Sequence, residues 1–132
     1  MRTIKFRGKK TQQRFDNKLN KAVNDWLIGN LHVDVKDCAI YDLHNANYGE
    51  FVDCETVGQF TGLYDKNGME IYEGDKLLMK DEIGNSGVVT VGFEHGGFIV
   101  FRGLAWRQIG DYDVEKNTIE VIGNIHEEEK LK

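Results

Sequence analysis

Proline does not occur once in the 132 residues of this chain, although an average usage of about 5 % would place roughly six or seven in that length. Slow isomerisation about X-Pro bonds therefore plays no part in its folding, and other residues must make its turns. Cysteine is nearly as scarce: Cys38 and Cys54 are the only two, and they form no CxxC pair. A zinc site built from Cys38 or Cys54 with a histidine is possible geometrically but has no support in the ligand spacing. In a chain with no secretory leader, the expectation is two reduced, buried thiols rather than a disulfide. No apolar run approaches the roughly 20 residues that span a bilayer. The opening MRTIKFRGKK lacks both the apolar stretch and the small-residue cleavage site of a signal peptide. A cytoplasmic protein without a membrane partner is expected. The glycine fingerprints of nucleotide loops, GxGxxG and GxxxxGK with Ser or Thr, are missing, and His32, His44, His95 and His126 show no HxxxH or HExxH spacing.

What the chain does have is glycine, 15 residues of it, set between β-branched and aromatic residues at short intervals. That pattern predicts strands joined by tight turns. Apolar residues at 40 % and charged residues at 30 % are a globular composition. Charge is unevenly spread: residues 1–30 hold eight Lys or Arg against two acids, net +6, and the rest holds nine against twenty, net −11, together the stated −5. A basic arm of this kind suits an acidic partner, a nucleic acid or the protein's own acidic half.

Gln59 to Asp75, QFTGLYDKNGMEIYEGD, carries the strongest local signal. Asp65 and Asn67 suit a turn through side-chain acceptance from backbone N–H, and Gly68 supplies a left-handed position, so a type I turn with a G1-type bulge is predicted at Asp65–Gly68. Gly74 and Asp75 repeat the chemistry, and a strand should leave that second turn. Alternation predicts an opening strand with Ile4 and Phe6 inward and Lys5 and Arg7 outward. Residues 8–24 read as a loop, and Trp26 begins a strand interrupted at Gly29-Asn30. A strand follows at 39–43 and a loop at 44–51. Five strands are expected between Thr56 and Ile125, with one helical turn at 104–109.

The expected fold is mainly β: a small antiparallel, SH3-like, partly closed barrel over residues 56–126, with an N-terminal β subdomain over residues 1–55 packed against it and a solvated tail at 127–132.

Three blocks resemble the YopX protein family of bacteriophages and prophages. They are Met1-Arg2-Thr3-Ile4-Lys5-Phe6-Arg7-Gly8, Thr56 through Asp75, and Val121-Ile122-Gly123-Asn124-Ile125-His126. The family often ends in an Asn-Pro-containing tail, whereas this chain ends in Glu127-Glu128-Glu129-Lys130 and beyond, so no role for the tail carries over. The resemblance implies a small, mostly β phage accessory protein in a bacterial host cell, with no established reaction and no catalytic residues to transfer.

Glu70, Glu73 and Asp75 could pair for metal or acid-base chemistry, but carboxylates beside glycine in a turn more often cap backbone N–H groups and face water. The sharper candidate is basic and aromatic: Lys5, Arg7, Lys9, Lys10 and Arg14 with Trp26, and Phe15, Tyr41 and Tyr48 as further rings. Small β folds hold single-stranded nucleic acid with such a combination. The competing reading is a solvated strand face with Trp26 and Phe15 in the core, which the overall acidity favours. No catalytic constellation is visible, so the leading expectation is a non-enzymatic binding or assembly module with a protein partner or a second copy of itself. Nucleic-acid binding through residues 1–21 is the alternative, and a small hydrolase or metal enzyme stands last. No cofactor is expected.

Overall fold

The computed structural model describes residues 3–11, 15–16, 21–22, 26–80, 85–109 and 119–127. The chain divides into two compact units, Thr3–Gln59 and Phe60–Lys132. Apart from one 3-10 turn, all regular structure among the described residues is β.

In the first unit, β1 (Phe6–Lys9), β2 (Phe15–Asp16), β3 (Lys21–Ala22), β4 (Trp26–Val33), β5 (Cys38–Tyr41) and β6 (Gly49–Val52) precede the 3-10 turn Cys54–Thr56. The start of β7 (Gly58–Tyr64) also belongs here. Antiparallel pairing gives the order β6-β5-β4-β1-β7, and β2 pairs with β3. Cys38, Ile40 and Val52 form the core, with Phe6, Leu27, Leu31 and Val57 packed on it. Two sequence expectations change. The break at Gly29-Asn30 does not occur, because a glycine there lets β4 pass directly against the Tyr41 carbonyl, where a Cβ would collide. The 44–51 loop is shorter than expected, since Gly49–Val52 pairs with Cys38–Tyr41.

Cys38 and Cys54 form a disulfide with Cα atoms 5.4 Å apart, which corrects the expectation of two thiols. Register explains the proximity: Cys38 opposes Val52 at the end of β6, and the 3-10 turn then folds Cys54 back, with Asp53 Oδ1 accepting from Glu55 N as its N-cap. Closing a loop of this length contributes about 3 kcal/mol on the chain-entropy account.

In the second unit, β7 continues into a hairpin with β8 (Glu70–Tyr72). Then β9 (Asp75–Lys80), β10 (Ser86–Glu94), β11 (Gly97–Arg102), β12 (Ala105–Gln108) and β13 (Ile119–Asn124) form an antiparallel sheet in the order β12-β11-β10-β9-β13. Ile71, Leu77, Val91, Val100 and Ile119 make its core, each worth roughly 1.5–3 kcal/mol of apolar burial. The mainly β expectation holds, but among the described residues the sheet is open at β12 and β13 and no barrel closes. The expected helical turn at 104–109 is instead strand β12, paired residue for residue with Ile99–Arg102.

The predicted turn at Asp65 forms as expected: Gly68 N donates to Asp65 O at 3.0 Å, Asp65 N donates to Met69 O, and Gly68 has φ +81°. Its carboxylate does not face water, however. Asp65 is 5 % exposed, Oδ1 accepts from Asn67 N and Met69 N, and Oδ2 accepts from Val121 N on β13 at 2.9 Å. Gly74 is also left-handed at φ +94°, and Asp75 is buried with Oδ2 accepting from Tyr72 N at 2.8 Å. Both carboxylates serve the backbone, and β9 leaves the second turn as anticipated.

Candidate functional site

In a strand, side chains alternate between faces, and residues directly opposite across a ladder share a face. Phe6 packs into the first core, and a Cβ on Gly8 would lie 2.8 Å from Val52 Cγ2, so these positions look inward. Arg7 and Lys9 therefore look outward. Arg7 opposes Ile28 and Lys9 opposes Trp26 on β4. The Arg7 guanidinium carbon stands 5.2 Å from the centroid of the Trp26 ring, a cation–π contact between two half-buried side chains, with the Arg7 Nε atom itself buried. Ile28, on the same face, is 50 % exposed.

Register carries the face onward across the sheet. Asn30 opposes Tyr41, and His32 opposes Ala39. Ala39 opposes Phe51, which is 61 % exposed, and Tyr41 opposes Gly49. A Cβ on Gly49 would fall 2.5 Å from the Tyr41 ring, so glycine is what allows that ring to lie across β6. The edge of His32 meets it at 6.5 Å and 90°. Between them lies an open hollow of about 320 Å³ lined by Asn30, Leu31, His32, Tyr41 and Ala46.

No acidic side chain among the described residues takes an outward position in β1, β4, β5 or β6. Glu50 opposes Ile40 on the inner face. Asp34 and Asp42 lie in the connections, where they accept from the nearby backbone N–H groups of Val35 and His44. The face is thus basic along β1 and aromatic or amide-bearing beyond it.

Of the candidate residues, Arg7, Lys9 and Trp26 come together, and Lys5 precedes β1. Lys10 does not join them: it is 9 % exposed, sits opposite Val52, and its Nζ pairs with Glu50 at 3.1 Å. The alternation that sends Lys9 outward sends Lys10 inward. Arg14 lies outside the described residues, and Phe15 is described only through its backbone pairing with Ala22. Tyr48 is exposed in the β5–β6 connection. Asn30, His32 and Phe51 were not singled out from sequence. Alternation within β4 was the available signal, hidden by treating Gly29-Asn30 as a break.

Among the described residues no group of His, Cys, Asp or Glu is arranged to hold a metal ion, and no helix is long and apolar enough to cross a membrane. The family described as YopX protein matches residues 5–131. The crystal structure of protein EF1440 from Enterococcus faecalis is similar over 96 % of this chain and 95 % of that one, with 22 % identity and a TM-score of 0.51, a likeness of fold alone. No curated protein matches the chain.

Proposed function

Because the chain belongs to the YopX protein family across nearly its whole length, and that membership brings no reaction with it, we propose on the geometry of its own surface that it is a non-enzymatic binding module for single-stranded nucleic acid. One observation carries this reading: the outward face of the first-unit sheet sets Arg7 and Lys9 beside Trp26, with Tyr41 and Phe51 further across and no acid among its described positions. Basic side chains follow a phosphate backbone and rings take the bases, without need of a base-specific code. The overall charge of −5 does not oppose this, since screening over about 10 Å at 0.1 M salt makes the local field decide. A bacterial cytoplasm, and the phage or prophage setting that the sequence resemblance implies, would supply such a ligand.

Fluorescence anisotropy with labelled oligonucleotides tests the reading. Two phosphate contacts, from Arg7 and Lys9, predict about a sevenfold weakening between 50 and 200 mM salt for a single strand. Arg7→Glu with Lys9→Glu should abolish most of that binding and salt dependence when compared with the parent at a temperature where circular dichroism shows both folded, since Arg7 is half-buried against Trp26. Absence of binding at low salt, or binding indifferent to the double substitution, overturns it.

A second reading, self-association, rests on the β11–β12 hairpin. Leu104 at its tip is 100 % exposed, β12 is a sheet edge with all four residues exposed, and Trp106 stands outward, stacked on His95 at 4.1 Å. Light scattering should then report a dimer that Trp106→Lys converts to monomer.

A further inference from the structure

We propose that the Cys38–Cys54 pair is a thiol–disulfide exchange site whose oxidation state sets the position of Lys9 and so, resting on the nucleic-acid reading of that face, the strength of its binding. The two cysteines are unequally placed. Cys38 lies in the first core at 7 % exposure, whereas Cys54, which opens the 3-10 turn, is exposed. Exchange requires access to a sulfur, so an external thiol meets Cys54. In a cytoplasm, disulfides are usually transient and serve catalysis or redox sensing. A bond that cycles agrees both with the cytoplasmic setting expected from the sequence and with the disulfide present in the fold.

The 3-10 turn ties this bond to the basic row. Lys9 N donates to Thr56 Oγ1 at 2.8 Å, and Lys9 O accepts from Asp53 N at 2.7 Å. Both main-chain polar groups of Lys9 are thus engaged by the short segment that carries Cys54. Thr56 Oγ1 in turn donates to Asp53 O at 2.6 Å, which closes the segment on itself. Past Lys9, the seam between β1 and β6 is thin among the described residues: one bridge, Lys10 opposite Val52, and one bond of 3.3 Å from Thr11 N to Phe51 O. By contrast, four residues of β5 pair with β4 and the same four with β6. Once Cys54 is released from Cys38, residues 53–56 are the part that opens at least cost. Lys9 then loses its fixed place opposite Trp26.

The exchange balances with a small thiol as reductant. Its thiolate attacks Cys54 Sγ to form a mixed disulfide, and the pair of electrons of the broken bond leaves on Cys38 Sγ, which takes up a proton. A second thiolate attacks the reductant's sulfur in the mixed disulfide and releases Cys54, which is protonated in its turn. The protein gains two electrons and two protons, and two reductant thiols become one disulfide.

Reduced glutathione, quenched by alkylation and followed by peptide mass, should appear on Cys54 with Cys38 alkylated. At a temperature where circular dichroism shows both forms folded, reduction should shift the amides of Lys9, Asp53 and Thr56 and leave residues 30–33 with the shifts of paired β4. Oligonucleotide binding should weaken, and its loss between 50 and 200 mM salt should fall from about sevenfold to about threefold, the value for one phosphate contact. Oxidised glutathione should restore both. Thr56→Val, with its cysteines joined, should show the reduced salt dependence, and Cys38→Ala with Cys54→Ala should show it whatever the redox state. Lys9 and Asp53 amides indifferent to reduction, or glutathione found on Cys38 in place of Cys54, overturn the exchange site. Collapse of the residue 30–33 shifts on reduction also overturns it, since the bond is then a structural staple. Oligonucleotide binding whose salt dependence ignores reduction overturns the control of Lys9 and leaves the face reading intact. A Lys9 response without oligonucleotide binding in either state upholds the exchange site and sinks the face reading.

Discussion

Asp65 shows how much one turn residue can hold. Burial opposes ionisation of its carboxyl, but the backbone N–H groups of Val121, Met69 and Asn67, aided by the nearby Lys66 charge, outweigh that cost and keep its pKa below the ordinary 3.8. A folded-state pKa held low means that the contribution to stability is complete above pH about 4 and is lost as the pH falls through the folded value. Denaturant unfolding as a function of pH should show the loss on that acid limb, and Asp65→Asn should flatten it. Asp65→Ala leaves three N–H groups without their acceptor and should cost about 2–4 kcal/mol. Asp65→Asn retains one acceptor and should cost less. Equal losses for the two variants would show that the hydrogen bonds are not what Asp65 contributes.

At the scale of elements, alternation made most of the sheet readable and register decided the rest. Val89, Val91 and Phe93 with the following apolar run identified β10 and β11 because their faces have different neighbours. β12 carries no such record: all four of its residues are exposed, so no periodic burial marks it, and only pairing with β11 makes it a strand. β6 was hidden for a similar reason, with Phe51 outward and only Val52 in the core. The basic row was legible from Arg7 and Lys9 alone. The hollow at Asn30, His32 and Tyr41 was not, because it depends on which residue of β5 faces which residue of β4, a long-range fact that no local pattern contains. Lys10 gives a test of this parity. Lys10→Glu sets a second carboxylate against Glu50 at a buried position and should lower stability by about 1–3 kcal/mol in urea unfolding. At temperatures where the variant stays folded, oligonucleotide affinity should be close to that of the parent, in contrast to reversal at Arg7 and Lys9.

On the scale of the whole chain, each of the two units has a core of its own among the described residues. The disulfide serves one of them. Cys38 is itself a member of the first core, and Cys54 is tied through the 3-10 turn to Thr56, whose Oγ1 accepts from Lys9 N at 2.8 Å. Reduction should therefore raise amide exchange at Ile40, Val52 and Lys9, with a loss of up to about 3 kcal/mol. Leu77, Val91 and Ile119 in the second core should exchange as before. Uniform acceleration across both units would show instead that they unfold together.

The same bond has a practical side. With Cys38 and Cys54 joined, the oxidised chain has no free cysteine, and the sequence contains no third. A thiol reagent should find nothing to label until a reductant is added. One cysteine introduced at exposed Tyr48 then becomes a single attachment point for a dye or spin label, beside the hollow and clear of both cores.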